Sequence, residues 1–338
     1  MTGTMRAAFY DRNGEPGEVI TIGEVPIPEP SAGEVRVRVH ASGVNPSDVK
    51  RVTGWAGGRM EHPRIVPHND GAGVVDRIGT GVEPALLGQR VWVYEAARDG
   101  RAFGTSAEYV VVPRANVVAL PEGCGFDLGA CLGVPAMTAH RCVFADGSVA
   151  GQTVLVAGGA GAVGRFAVQF AKWGGARVIA TVGSPAKGEI ARQAGADHVV
   201  EYHRPNLANS VMDAARATPS GGVDRIVEVA PGPNFSVDLE VLKTNGTLAI
   251  YAFSEDADEE LSFPMRKLLA KGAVLRWILV YSMPEAAKSQ AVRDITQAVR
   301  DGALTSGVTV SYPLASVAEA YAAVGIGGAG GRVLIQPI

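Results

Sequence analysis

Cysteine is nearly missing from this sequence. Cys124, Cys131 and Cys142 are the three in 338 residues, an odd number without C-x-x-C spacing. That excludes a disulfide framework and leaves small apolar residues suited to a core. Charge of one sign is also missing. Lys and Arg number 31 against 34 Asp and Glu, giving a net charge of −3 with the signs interspersed. Such a balance implies neither a nucleic-acid partner nor a membrane surface. No apolar run is long enough to span a bilayer. The opening residues, Met1 to Arg6, carry no signal-peptide h-region, so a cytoplasmic protein is expected. Fixed-period repeats and low-complexity linkers are lacking too.

Glycine is plentiful, at 43 residues, as suits many tight turns between short elements. The length suits two domains. Most informative is Gly159-Ala160-Gly161-Ala162-Val163-Gly164, which spells G-x-G-x-x-G. The apolar, β-prone run 153–157 precedes it. Residues 165–173 follow with apolar side chains at helical spacing, and a second strand pattern runs over 176–182. Strand, glycine turn, helix and strand in that order form a dinucleotide fingerprint. The first glycine permits the turn, Gly161 lets backbone approach a pyrophosphate, and Gly164 lets the helix pack on the strand. The diphosphate would rest on unpaired N–H groups at the helix N-terminus.

The end of the second strand discriminates between dinucleotides. An NAD site usually places Asp or Glu there for the ribose 2′-OH. This chain has Gly183, Ser184 and Lys187, and no carboxylate before Glu189. A hydroxyl and a cation would welcome a 2′-phosphate that a carboxylate would repel, so NADPH is expected over NADH. Ser184 acting as a helix cap and Lys187 as a surface cation is the structural alternative.

The style of the chain changes near Pro121. Before it, strands are expected near 5–9, 19–22, 34–41, 73–78, 90–94 and 107–112, with strict alternation in 34–41. Few helices interrupt them, which suggests a small barrel. After it, 126–144 reads as largely helical, and strands at 153–157, 176–181, 197–200, 224–229, 246–251 and 273–280 alternate with helices. That is the pattern of a doubly wound parallel sheet. An amphipathic helix is expected over 286–301. The tail returns to strand at 308–313, helix at 316–323 and strand at 330–335.

Four segments in this order resemble the zinc-free quinone oxidoreductase (zeta-crystallin-like) branch of the medium-chain dehydrogenase/reductase superfamily. They are Gly43-Val44-Asn45-Pro46-Ser47-Asp48, Asp70-Gly71-Ala72-Gly73-Val74-Val75 with Gly79-Thr80-Gly81-Val82, the turn Gly161–Gly164, and Tyr312-Pro313-Leu314 with Gly330-Gly331-Arg332-Val333. The resemblance covers essentially the whole chain. It implies an α/β fold with a Rossmann doubly wound parallel sheet inserted in a GroES-like β-barrel domain. The barrel would take residues 1–126 and 307–338, and the NADPH-binding domain 127–306. It also implies NADPH-dependent reduction of quinones or α,β-unsaturated carbonyls. Carried over residue by residue, Ala160, Gly161, Ala162 and Val163 would line the pyrophosphate. Gly183, Ser184, Lys187 and Tyr202 would surround the 2′-phosphate and adenine side. Asn45 and Thr138 would face the nicotinamide, and Ile250, Tyr251, Ala252 and Phe253 would close over it. The sequence departs from the family where tyrosines are common: Lys50 stands five residues past Asn45, and Trp55-Ala56 follows Gly54. Asn45 and Lys50 are the catalytic candidates. Lys50 could polarise a carbonyl or sit on the rim in solvent.

No metal is expected. The related alcohol dehydrogenases use zinc to polarise a carbonyl. They have Cys where Asn45 stands and a His-Glu pair where Asn69-Asp70 stands. The cysteines of their structural zinc lobe are missing from 88–112. His68 lies one position from the pair and is a decoy; His40, His62, His140, His198 and His203 are scattered. A plain ketone wants strong electrophilic help. A conjugated acceptor spreads charge onto a distant oxygen, where modest hydrogen-bond donors suffice. Orientation over the nicotinamide supplies much of the rest. One alternative is an enoyl-thioester reductase, with Arg51, Arg59 and Arg64 near the entrance for CoA phosphates. Another, of a different class, is a non-catalytic crystallin-like NADPH-binding protein. The apolar run 274–281 as the last strand of the sheet would be an exposed edge, and pairing with a second copy would cover it, so a homodimer is expected.

Overall fold

A computed structural model describes residues 3–54, 58–216, 222–253, 262–307, 309–325 and 331–338. Trp55, Ala56 and Gly330 lie outside the described residues. The chain divides into two compact units, Met1–Val134 with Ser306–Ile338, and Pro135–Thr305.

In the first unit, strands alternate apolar-in and polar-out. Glu34–Val44 is the long central strand, and its Val35, Val37 and Val39 are buried with Val75, Val91, Val93, Val110 and Val112. It pairs antiparallel with Asp70–Ile78 and with Tyr109–Pro113. Asp70–Ile78 pairs with Arg90–Val93, which pairs with Val117–Ala119. The C-terminal strands complete this sheet: Arg332–Gln336 lies antiparallel to Glu34–Val44 and parallel to Thr309–Pro313. Thr4–Phe9 and Thr21–Pro26 form a separate antiparallel pair. The expected strand over 19–22 starts later, because Pro16 opens a single helical turn, Pro16–Val19. Proline at the first helical position pre-sets the helical φ.

The second unit is a six-stranded parallel sheet. Its order is His198–Glu201, Arg177–Val182, Thr153–Val156, Val223–Glu228, Leu242–Ile250, Val274–Trp277. The strands are continuous apolar runs because helices cover both faces. Leu155, Ile179, Ile226 and Leu248 are buried among Val211, Val223, Leu239 and Leu242. Two expectations need correction. Residues 126–144 are largely helical as expected, in three pieces, Phe126–Gly129, Leu132–Ala136 and Met137–Phe144, with a kink at Gly133. The first belongs with the barrel strands: Phe126 stacks on His40 at 4.4 Å and lies under the Arg90 guanidinium at 4.6 Å. The unit boundary therefore falls near 134 rather than 126. The last strand stops at Trp277, and a short 3-10 turn, Val280–Ser282, follows. Among the described residues no helix is long and apolar enough to cross a membrane.

Candidate functional site

The sheet order of the second unit reverses at Thr153–Val156: the next strands in sequence lie on one side of it, and Val223–Glu228 lies on the other. Ligands of such sheets bind outside the carboxyl ends of the strands at this switch point. The glycine turn follows Thr153–Val156 directly. Its left-handed residue is Gly158, at φ +64°, and not Gly159. Gly159 is needed for packing, since a Cβ there would come within 2.6 Å of Ala180 Cβ. A Cβ at Gly164 would run into the carbonyl oxygen of Gly158. Gly161 differs, because its Cβ would meet only Gly158 O, at 3.2 Å. That contact is tight, but the carbonyl need give only slightly, so the fold demands glycine less at 161 than at 159 or 164. Gly161 is the N-cap of the helix Ala162–Trp173, has no side chain to cap it, and no acid stands in the first turn. The first-turn N–H groups of a helix lack intrahelical partners, and the helix dipole favours an anion there. Ala160, Gly161, Ala162 and Val163 are thus brought together at one helix N-terminus.

Thr181 ties the turn to the second strand: Gly159 N donates to its carbonyl at 3.0 Å and Gly158 N to its Oγ1 at 3.4 Å. Three residues on, Ser184 caps the helix Pro185–Gln193, its Oγ accepting from Lys187 N at 3.3 Å. The capping alternative is therefore realised, and the Oγ hydrogen remains a donor. No acid stands in this first turn either. Tyr202 backs Gly183, where a Cβ would collide with its hydroxyl oxygen, and Tyr202 N donates to Val182 O at 3.0 Å. Gly183, Ser184, Lys187 and Tyr202 thus form one cluster, with Tyr202 exposed.

The remaining cofactor candidates of this unit follow the strand Leu242–Ile250 or lie on the helix Met137–Phe144. Ile250 is buried, Tyr251 N donates to Glu228 O at 3.1 Å, and Phe253 is exposed. Burial pushes the Tyr251 hydroxyl well above its ordinary value. Thr138 is buried in the first turn of its helix. Sequence reasoning missed Glu228, which ends the strand beside the glycine turn. Its Oε1 accepts from Val229 N at 2.7 Å, Ala230 N and Asn234 Nδ2 at 3.0 Å. Glu228 and Asp238 are both buried, and desolvation pushes both carboxyls up, Asp238 further because it faces Glu228.

In the first unit Asn45 caps the helix Pro46–Thr53 and is 1% exposed. Its backbone N donates to Asp48 Oδ2 at 2.9 Å, and its Nδ2 to Asp70 Oδ2 at 2.9 Å. Its Oδ1 accepts from Arg332 Nη1 at 2.8 Å. Asp70, fully buried, also accepts from Val134 N, and lies 3.6 Å from Arg332 Nη2. Burial raises its carboxyl to about 7, against the pull of Arg332, Asn45 and Val134. Asn69 Nδ2 donates to Asp48 Oδ1 at 3.1 Å. A hydroxyl chain fixes His68. Thr105 Oγ1 donates to Asp70 O at 2.6 Å, so Ser42 must donate to Thr105, and His68 Nδ1 must donate to Ser42. The ring is neutral, its pKa lowered by burial to about 3, and Nε2 is the bare nitrogen. Lys50 is half-buried in the last turn of Pro46–Thr53, where a cation is favoured by the dipole. Arg64 forms a forked pair with Asp11, both bonds 2.8 Å, and Arg51 donates to Ala97 O and pairs with Glu61 at 3.4 Å. Two of the three arginines proposed for CoA phosphates therefore already have partners.

The family comparisons agree with this architecture. Residues 31–122 match the profile described as alcohol dehydrogenase GroES-like domain, and 162–297 match that described as zinc-binding dehydrogenase. The chain belongs to the medium-chain dehydrogenase/reductase superfamily. With that family it is a nicotinamide-dependent oxidoreductase. It is 28% identical to a quinone oxidoreductase of Homo sapiens over 334 residues, covering 98% of each chain. It is 26% identical to a mycobacterial protein solved in complex with NADPH, with a TM-score of 0.82 and coverage of 98% and 100%. A structure described as an NAD-dependent alcohol dehydrogenase is 29% identical, with a TM-score of 0.83 and coverage of 98% and 99%.

The name of the second profile raises zinc, and the donor set does not fit it. Two of the three ligand positions identified above hold amides, Asn45 and Asn69, which are poor zinc donors. The Asp70 carboxylate is engaged by Asn45, Val134 N and the guanidinium of Arg332, a cation already in place. His68 Nε2 is a single nitrogen donor. Among the described residues no group of three or more His, Cys, Asp or Glu is arranged to hold a metal.

Proposed function

We propose that the protein is an NADPH-dependent reductase of quinones or α,β-unsaturated carbonyls, working by metal-free hydride transfer to a conjugated carbon. The observation that carries the cofactor choice is the acid-free first turn of Pro185–Gln193, with Ser184 at its cap. Bound NADPH would supply the hydride. The backbone at Ala160–Val163 holds the diphosphate, and Ser184 and Lys187 hold the 2′-phosphate with Tyr202 beside the adenine. Thr138 and Asn45 border the nicotinamide, and Ile250–Phe253 close over it. The acceptor class rests on the chemistry around Asn45, where amides stand in place of a strong Lewis acid and the Arg332 guanidinium is engaged within the protein. Amide donors can stabilise the delocalised charge of a conjugated acceptor. The names of the relatives and the mycobacterial NADPH complex support the same reading. The engagement of Arg51 and Arg64 disfavours a CoA thioester.

Turnover of NADPH and NADH with a naphthoquinone, an enone, a simple ketone and crotonyl-CoA tests the proposal. Naphthoquinone or enone reduction with NADPH preferred is expected. Turnover of crotonyl-CoA or the ketone but of neither conjugated carbonyl would overturn it. Lys50→Met separates the two roles of that lysine: a fall in kcat assigns it to the acceptor carbonyl, and unchanged kinetics assign it to the rim. We also propose a homodimer through the sheet edge Val274–Trp277, where Val274, Trp277 and Leu279 are exposed.

A further inference from the structure

We propose that Asp70 and Arg332 are positioning residues that lock the carboxamide of Asn45 in one orientation. The proposal rests on the reading that Asn45 borders the nicotinamide. Asp70 and Arg332 form a loose ion pair, their nearest charged atoms being 3.6 Å apart. The Asn45 amide bridges them, with Oδ1 on Arg332 Nη1 at 2.8 Å and Nδ2 on Asp70 Oδ2 at 2.9 Å. A guanidinium only donates and a carboxylate only accepts. Rotating the amide by half a turn would therefore set N–H against N–H at Arg332 and, while Asp70 is ionised, O against O, in a buried place.

Both jaws are themselves held. Arg332 also donates to Val44 O at 3.1 Å and to Ala130 O at 3.3 Å, and Asp70 accepts from Val134 N at 2.9 Å. The space for them is kept by two glycines. A Cβ at Gly43 would press on Arg332 Nη2 and Ala130 O, and one at Gly133 on Asp70 Oδ1. Neither glycine has a left-handed backbone; Gly133 gives clearance to Asp70, and Gly43 gives it to Ala130 O and Arg332 Nη2. A buried ion pair is a poor stabilising device, because desolvation offsets its attraction. Orientation of the group between the charges accounts for it better. The Asn45 side chain also interacts with the Asp48 carboxyl, a further restraint on the amide. Its direction is set before any ligand arrives.

The test is a double-mutant cycle on kcat and on NADPH affinity, with Arg332→Lys, Asn45→Ala and the two combined. A lysine keeps the charge but cannot reach Asn45 Oδ1, Val44 O and Ala130 O together. Each single change is expected to lower kcat about tenfold or more, with NADPH affinity within about twofold, and the double variant is expected to be no slower than Asn45→Ala alone. Effects that multiply, or a variant with a lower Tm but wild-type kcat, would overturn the proposal. Asp70→Asn, which keeps the volume, serves in the same cycle if Arg332→Lys does not fold. A second readout is independent of turnover: NMR of protein labelled selectively at asparagine. The Asn45 side-chain amide is expected to exchange slowly in the wild type and rapidly in the variant. Unchanged exchange overturns the lock. Slow exchange together with no turnover of any acceptor retains the lock and rejects the functional reading.

Discussion

Ser184→Asp places a carboxylate where the 2′-phosphate of NADPH is proposed to lie, and it does so without disturbing the fold. Ser184 is the N-cap of Pro185–Gln193, accepting from Lys187 N at 3.3 Å. Aspartate is as good an N-cap as serine and suits the positive end of the helix, so stability should stay within about 0.5 kcal/mol. The electrostatic effect is larger. At a separation of about 5 Å and an effective dielectric constant of about 20–40, one like-charge pair costs roughly 1.5–3 kcal/mol. A phosphate monoester carries about 1.5–2 charges at neutral pH. After solvent screening, about 2–3 kcal/mol is expected, or a roughly 30- to 150-fold loss of NADPH affinity. NADH should bind as well as before or better, since the carboxylate can accept from a 2′-OH. Fluorescence titration with both nucleotides at low and high salt measures this, and the NADPH penalty should shrink as salt rises. NADPH affinity unchanged within about twofold, in a variant of normal Tm, would refute the placement of the phosphate.

Other consequences follow from the same geometry. Gly164→Ala should lower stability by about 1–3 kcal/mol in a denaturant titration, because its Cβ meets Gly158 O. Gly161→Ala should stay within about 1 kcal/mol yet weaken nucleotide binding about tenfold; equal loss of stability in the two variants would contradict the distinct roles. The raised carboxyls of Glu228 and Asp238 bind a proton more tightly when folded than when unfolded. Their contribution to stability is therefore full below the ordinary carboxylate range, about 4, and is lost as pH rises through the raised values. Asp238→Asn should flatten that loss in Tm measured between about pH 4.5 and 8.5, and parallel curves for wild type and variant would show that the pair does not titrate there. Trp277→Arg should give a monomer by light scattering where the wild type is a dimer, and a monomeric wild type would sink the edge-pairing proposal.

The parallel sheet was legible because its strands are buried on both faces and read as short apolar runs. Their positions agree with the sequence to within a few residues, although Leu242–Ile250 begins earlier than its apolar part suggests, through Lys243, Thr244 and Asn245. The barrel strands were legible by alternation. Val117–Ala119 was missed because three residues carry no periodicity, and Pro16–Val19 because a single turn is set by one proline. The buried carboxyls had no signal either, since Glu228 and Asp238 read as surface charges in any composition-based view. Arg332 was noticed only as part of a terminal motif. Its partner Asn45 lies 287 positions away, and only the strand pairing of Arg332–Gln336 on Glu34–Val44 brings them together.

Glycines show most clearly where sequence reasoning stops. From the sequence, Gly158, Gly159, Gly161, Gly164, Gly43 and Gly133 are alike, each admitting a turn or a close approach. The structure divides them by what a Cβ would strike. Gly159 and Gly164 answer to the strand and helix of their own turn, and Gly43 and Gly133 to the Asp70–Arg332 pair. A glycine with such an internal cause carries no information about a ligand. Gly161 has a β-region backbone, at φ −73° and ψ 171°, and its Cβ would press on one carbonyl, Gly158 O, at 3.2 Å, so its internal cause is the weakest of the three. The motif's evidential weight for a nucleotide therefore rests most on that glycine of the three it names. The clearance around Asn45 belongs to the opposite case, since there the glycines make room for charges of the protein itself. The first pattern leaves room for a ligand to approach backbone, and the second gives room to a polar group of the protein itself.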